Sequence, residues 1–121
     1  MEAFRLPKSN EEEIAIRKQA ISEATKFAIF TPFKVMELSL DSMEIMEAMT
    51  KIGNPSSVTD AVVGALCART AVRGAFLNVR INCQDFNDAA FVDDVLKRGK
   101  EIEDRALEVE ERILGLAESK L

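Results

Sequence analysis

The residue types in this chain restrict its chemistry before any fold is considered. It contains no histidine, so a Ser-His-Asp or Cys-His mechanism and a histidine-ligated metal site are impossible within it. Acid–base work falls to Asp, Glu, Lys or Cys, or to residues of another chain. Cys67 and Cys83 stand sixteen residues apart. That is no zinc spacing, and two thiols make no disulfide framework; both are read as small apolar fillers. Two polar groupings remain. Asn54, Ser57 and Asp60 crowd the expected start of a helix, where free backbone N–H groups can hold a carboxylate, although capping alone accounts for all three. Asn78 and Asn82 lie four apart, so on a helix their amides sit one turn apart on one face. There they offer paired donors and acceptors, or they tie helix ends or bond across a dimer. Arg69, Arg73 and Arg80 are expected to pair with acidic neighbouring helices, given 21 Asp and Glu against 16 Lys and Arg.

These groups must be positioned by helices. Only five glycines and three prolines punctuate 121 residues, and 47% of the residues are hydrophobic. That favours long helices around one core over disorder or many short strands. A first helix should start after Ser9 or Asn10, with Ser9 and Glu12 as a capping box and Glu11, Glu12 and Glu13 at its positive end. Thr31-Pro32 reads as an N-cap with proline at the first helical position, so it restarts a helix or kinks it. The second helix runs from about Pro32 to Ile52 and stops at Gly53-Asn54-Pro55. Its methionines Met36, Met43, Met46 and Met49 suit either a core or an adaptable groove.

The third helix, Val58 to Asn82, is capped by Ser57 and spans ~37 Å if unbroken. At about 100° per residue, Asp60, Gly64, Cys67, Ala71, Gly74 and Asn78 form one stripe. Arg69, Arg73, Phe76 and Arg80 lie opposite. The stripe of small residues is expected to admit another helix backbone closely, since each glycine inside a helix costs about 1 kcal/mol relative to alanine. A fourth helix begins near Asn87-Asp88, with an apolar seam of Phe91, Val95, Ile102, Val109, Ile113 and Leu116. The expectation is an all-α fold, an elongated antiparallel bundle of about four helices, two of them long, forming a single helical domain over residues 1–121. Its exposed edges predict a homodimer.

The net charge of −5 argues against a nucleic-acid partner. No apolar run approaches the ~20 residues that span a bilayer, and the opening MEAFRLPKSN has no secretory pattern. The expected location is cytoplasmic, with no membrane partner.

Three stretches carry a family resemblance: Glu2-Ala3-Phe4-Arg5-Leu6-Pro7-Lys8, Gly53-Asn54-Pro55-Ser56-Ser57-Val58-Thr59-Asp60-Ala61, and Gly74-Ala75-Phe76-Leu77-Asn78-Val79-Arg80-Ile81-Asn82. An Asp88-x-x-Phe91 pair follows the last. In order and spacing they resemble the formiminotetrahydrofolate cyclodeaminases and methenyltetrahydrofolate cyclohydrolases. The resemblance implies closure of formiminotetrahydrofolate to methenyltetrahydrofolate with loss of ammonia, or hydrolysis of the methenyl form. No metal is implied, and no cofactor beyond tetrahydrofolate as the substrate carrier. It assigns substrate binding to Asn54, Ser57, Asp60, Asn78 and Asn82, the two amides reading a pterin edge, with Lys8 and Arg80 (and Arg5, Arg69 and Arg73) as candidates for the glutamate tail. No catalytic residue is assigned. Family members carry an earlier helical segment with a glycine-rich turn and an aspartate proposed as catalytic, and neither is seen here. The chain is therefore read as the later part of the family's domain, with Met1 falling where the family has a mid-helix residue. The alternative is a non-catalytic helical dimerisation or regulatory module. A straight third helix would hold Asp60 and Asn78 ~27 Å apart, so a site using both is expected across a two-fold subunit boundary.

Overall fold

The structure is a computed structural model that describes residues 2–121; Met1, and with it the reading of the chain's start, lies outside the described residues. A 3-10 helix, Glu2–Arg5, leads to α1, Glu11–Ile52; a second 3-10 turn, Pro55–Ser57, leads to α2, Val58–Cys83; and α3 spans Ala89–Glu118. No strand occurs among the described residues. The fold is all-helical as expected, with three helices rather than four.

The correction lies at Pro32. A proline inside a helix lacks the N–H that would reach the carbonyl four residues back, and its ring crowds that carbonyl. Here that group is Ala28 C=O, and the Asn82 amide on α2 donates to it at 3.3 Å. Thr31 Oγ1 donates to the Phe27 carbonyl at 2.9 Å, so Thr31 is a helix-interior residue and not a cap. Ile29, Phe33 and Met36, on both sides of the proline, are buried on one face. Core packing on either side and a borrowed donor thus carry α1 through for 42 residues, ~63 Å.

Two caps also shift. Asn10, not Ser9, accepts from Glu13 N (2.9 Å), while Glu13 Oε2 accepts from Ser9 N (2.8 Å); the box is displaced by one residue. Ser57 occupies the N-cap of α2 without a side-chain bond. Asn54 does that work one turn earlier, its Oδ1 accepting from Ser56 N and Ser56 Oγ. At the start of α3, Asp88 accepts from Phe91 N, as its motif suggests.

α1 and α2 are antiparallel, and α3 returns parallel to α1: Phe33 meets Arg98, Glu44 meets Arg105 and Glu47 meets Arg112. The core joins Ile29, Phe33, Met36 and Met43 of α1 with Ala65, Ala68, Val72, Ala75, Phe76 and Val79 of α2 and Val95, Ala106, Val109 and Ile113 of α3. Gly99 is buried because Phe76 occupies the space its Cβ would need. The α2 face that packs is the alanine row, not the expected stripe. Gly64 alone of the stripe's glycines is used, lying against Met46; Gly74 faces open space, and Asp60, Cys67 and Asn78 are exposed. Cys83 is the buried filler expected, and burial pushes its thiol pKa up. Cys67 departs from that expectation by facing solvent.

Pro55–Cys83 is, by length and composition alone, long and apolar enough to cross a membrane, contrary to the sequence reading. Its apolar residues divide between the alanine row inside and Val63, Leu66, Leu77 and Ile81 outside. The opening turns of α1 overhang the bundle. Ile14 and Ile16 are more than half exposed there, and the first 3-10 helix clasps that stretch through Arg17, which donates to the Phe4 carbonyl and lies over the Phe4 ring.

Candidate functional site

Where α1 turns into α2, Met46, Met49, Gly53, Asn54, Ser57, Asp60 and Ala61 line one pocket of about 270 Å³. Its shape follows from the turn. Gly53 N donates to the Met49 carbonyl at 2.8 Å, closing α1, and a Cβ on Gly53 would collide with that same carbonyl. The chain then leaves in an extended conformation, and Pro55 starts the 3-10 turn that aims α2 back along α1. The α1 side of the pocket is apolar, through Met46 and Met49. The α2 side is polar. Because Asn54 Oδ1 is committed to Ser56, its Nδ2 is the group left to donate; Ser57 Oγ makes no cap bond. Asp60 is the one ionisable side chain in the lining.

The floor beneath this turn is held by charge. Arg112 of α3 donates from Nε and Nη2 to the two oxygens of Glu47, 3.0 Å each, and Lys51 stands 3.2 Å away. These cations, Arg112 first, hold the Glu47 carboxyl down to about 2 from 4.5, against the opposing effect of burial. Lys120 Nζ donates to the Thr50 and Lys51 carbonyls at 2.7 and 2.8 Å, satisfying the last turn of α1. Arg112 on α3 and Lys120 just past its end are more than sixty residues distant in sequence from these partners, and charge alone gave no signal for them. Met46 and Met49 were visible as the methionine stripe: Met36 and Met43 went to the core, these two to the pocket.

The other candidates lie elsewhere. Asn82 spends its amide on the Ala28 and Asn78 carbonyls (3.3 and 2.9 Å), a structural duty; the pair with Asn78 is formed in register but faces no part of the α1–α2 pocket. Asn78 is exposed, eighteen residues, ~27 Å, along α2 from Asp60. Arg80 is exposed, lies over the Phe76 ring at 5.9 Å and borders a cleft with Cys83, Gln84, Val92 and Leu96. Lys8 and Arg5 are exposed near the first turn, and Arg73 is exposed on α2. Arg69 lies against Glu110 of α3 at 3.8 Å, the acidic-helix pairing expected of it. A larger groove of about 350 Å³ runs between α1 and α3, but its arginines are engaged: Arg98 stacks on Phe33 (4.8 Å) beside Asp94, and Arg105 reaches Glu44 and Glu108. No cluster of metal-binding side chains occurs among the described residues.

The family model described as formiminotransferase-cyclodeaminase matches residues 1–101. The chain belongs to that family. The methenyltetrahydrofolate cyclohydrolase of Methylorubrum extorquens is 33% identical over all 121 residues, which cover 58% of that protein. The formimidoyltransferase-cyclodeaminase of Dictyostelium discoideum is 34% identical over 116 residues, 96% of this chain and 21% of that protein. That of Mus musculus is 34% identical over 91 residues, 75% of this chain and 17% of its own length. The chain thus spans little more than half of the cyclohydrolase and a smaller share of the larger relatives. The family match embraces the whole α1–α2 turn and therefore the pocket built on it.

Proposed function

We propose that this chain binds a one-carbon derivative of tetrahydrofolate in the α1–α2 pocket, as part of a cyclodeaminase or cyclohydrolase. The reaction would close formiminotetrahydrofolate to methenyltetrahydrofolate with release of ammonia, or hydrolyse the methenyl form. The observation that carries the reading is the convergence of Asn54, Ser57 and Asp60 with two methionines on one cavity. A flat pterin is apolar on its faces and polar on its edge. Met46 and Met49 suit the face; the Asp60 carboxylate accepts from the ring's amino and N–H groups, while Asn54 Nδ2 donates to its carbonyl. At about 270 Å³ the pocket falls just below the usual volume of ligand sites, roughly 300–1,000 Å³. It takes the ring system, and the remainder of the folate lies outside.

A second reading is favoured by one specific observation. Asp60 is the single titratable group in the lining, whereas moving protons to and from the one-carbon centre calls for a positioned acid and base. On that reading the chain is a non-catalytic helical module that keeps the family's binding surface.

Calorimetric titration with 5-formyltetrahydrofolate tests the proposal. Saturable binding, weakened at least tenfold by Asp60→Asn, is the expected result. No binding by a chain shown to be folded would overturn it and leave the module reading.

A further inference from the structure

One wall of the α1–α2 pocket stands where a helix is least able to hold itself. The last carbonyls of an α-helix have no partner within it, and Met49, Gly53 and Asn54 line the pocket from this final turn of α1 and the step beyond it. Gly53 N–H donates to the Met49 carbonyl. The next two carbonyls, of Thr50 and Lys51, receive no backbone N–H among the described residues, because the chain leaves α1 extended at Gly53 and turns at Pro55. Both accept instead from a single ammonium, Lys120 Nζ, at 2.7 and 2.8 Å. A cation there also meets the negative end of the helix dipole.

The ammonium arrives on a base that is itself held. Past the end of α3, Ser119 Oγ donates to the Leu116 carbonyl at 2.7 Å, and the backbone N–H groups of Lys120 and Leu121 both donate to the carbonyl of buried Ala117, at 2.9 and 3.1 Å. The tail is thus wound back on α3, and Lys120 reaches across to α1 from a fixed point. The same stretch of α3 touches both helices that form the pocket, Glu110 lying against Arg69 of α2 and Arg112 bonding Glu47 of α1. Glu47 sits in the body of α1, two residues before Met49, whereas Lys120 takes the end. Lys120 is not in the pocket lining, so it acts on the pocket through backbone alone. It also lies beyond residues 1–101, which the family model matches.

We propose that Lys120 is a positioning residue for the α1–α2 pocket: its ammonium fixes the last turn of α1 so that Met49, Gly53 and Asn54 face Ser57 and Asp60 across the cavity. Without it the Thr50 and Lys51 carbonyls turn to water, the Gly53–Met49 bond opens more often, and the Met49 wall loses its fixed distance from α2. The consequence for ligand binding rests on the reading of this pocket as the folate site; the hold on the turn does not.

Three variants of the full chain test this. Lys120→Met keeps an unbranched apolar stem and removes the ammonium, and Lys120→Arg keeps the charge and its donors. Lys100→Met removes a lysine of α3 that pairs with Glu103 and Asp104 of its own helix, as a control for net charge. Each is read at a temperature where circular dichroism shows wild-type helicity. Without ligand, Lys120→Met is expected to speed hydrogen exchange of the Gly53 amide at least fivefold and to shift the Met49 methyl resonance, leaving that of the core residue Met36 in place. Its affinity for 5-formyltetrahydrofolate by calorimetry should fall at least fivefold. Lys120→Arg should restore most of both effects, and Lys100→Met should show neither. Unchanged Gly53 exchange and an unmoved Met49 methyl in Lys120→Met overturn the hold on the turn. Faster exchange with undiminished affinity overturns the positioning role and leaves Lys120 a helix cap. A folded wild type that binds no 5-formyltetrahydrofolate removes the folate reading, and the Met49 methyl then decides by itself whether Lys120 sets the pocket wall.

Discussion

The two ends of α2 carry similar residues and put them to opposite uses. At its C-terminal end two asparagines stand one turn apart, and the better placed of them, Asn82, is consumed in repairing a backbone defect that Pro32 makes in α1. At its N-terminal end Asn54 is half consumed by a turn, yet Ser57 and Asp60 line a pocket. An amide in a family motif is therefore no guide to ligand binding until its partners are known. A helix interrupted by proline demands a donor from elsewhere, and that demand outranks a vacancy for substrate.

The comparison breaks most visibly at Asn82. Asn82→Ala should cost about 1–2 kcal/mol in urea unfolding, since it leaves a half-buried carbonyl unpaired. Adding Pro32→Ala, which restores the N–H that Ala28 lacks, should recover it. A single variant as stable as wild type would return Asn82 to the list of ligand-binding residues. Next in size is Glu47→Gln, beneath the other end, at about 1–2 kcal/mol at pH 7 given that Arg112 is partly open to water. Because the folded carboxyl is depressed from 4.5 to about 2, its stabilisation is complete above the unfolded value and is lost as pH falls from about 4.5 towards 2. The wild-type and variant denaturation midpoints should accordingly converge across that window, and a constant difference would refute the assignment. Asn54→Ala removes two local bonds and should cost about 0.5–1 kcal/mol, with weaker 5-formyltetrahydrofolate binding as well. Smallest is Ser57→Ala. With no cap bond to lose, stability should stay within about 0.5 kcal/mol, while affinity falls a few-fold; the reverse pattern would make Ser57 a cap after all.

Much of this was legible in the sequence where the signal was local. Gly53-Asn54-Pro55 and Asn87-Asp88 mark helix boundaries because glycine, asparagine and proline act within a few residues of themselves. The unbroken α2, and hence the separation of Asp60 from Asn78, followed from the same reasoning. Pro32 did not, since the donor that lets α1 continue sits on another helix, and reading proline by local rules gave one helix too many. The inner face of α2 was misassigned for a related reason. Glycine and alanine stripes look alike on a helical wheel, and only the positions of Met46 and Phe76 reveal which small residues have a neighbour. The Glu47–Arg112 pair, joining the ends of α1 and α3, had no sequence signature.

The overhang of α1 implies that the molecule does not open all at once. Amides between Ile14 and Ala24 are held by helix hydrogen bonds with packing on few sides, so they should trade their protons for deuterium through small local fraying. Those from Ile29 to Met43, buried against two other helices, should wait for the whole bundle to come apart. Along one continuous rod the protection would climb from one end towards the middle, and the Phe4–Arg17 clasp would set where the climb begins.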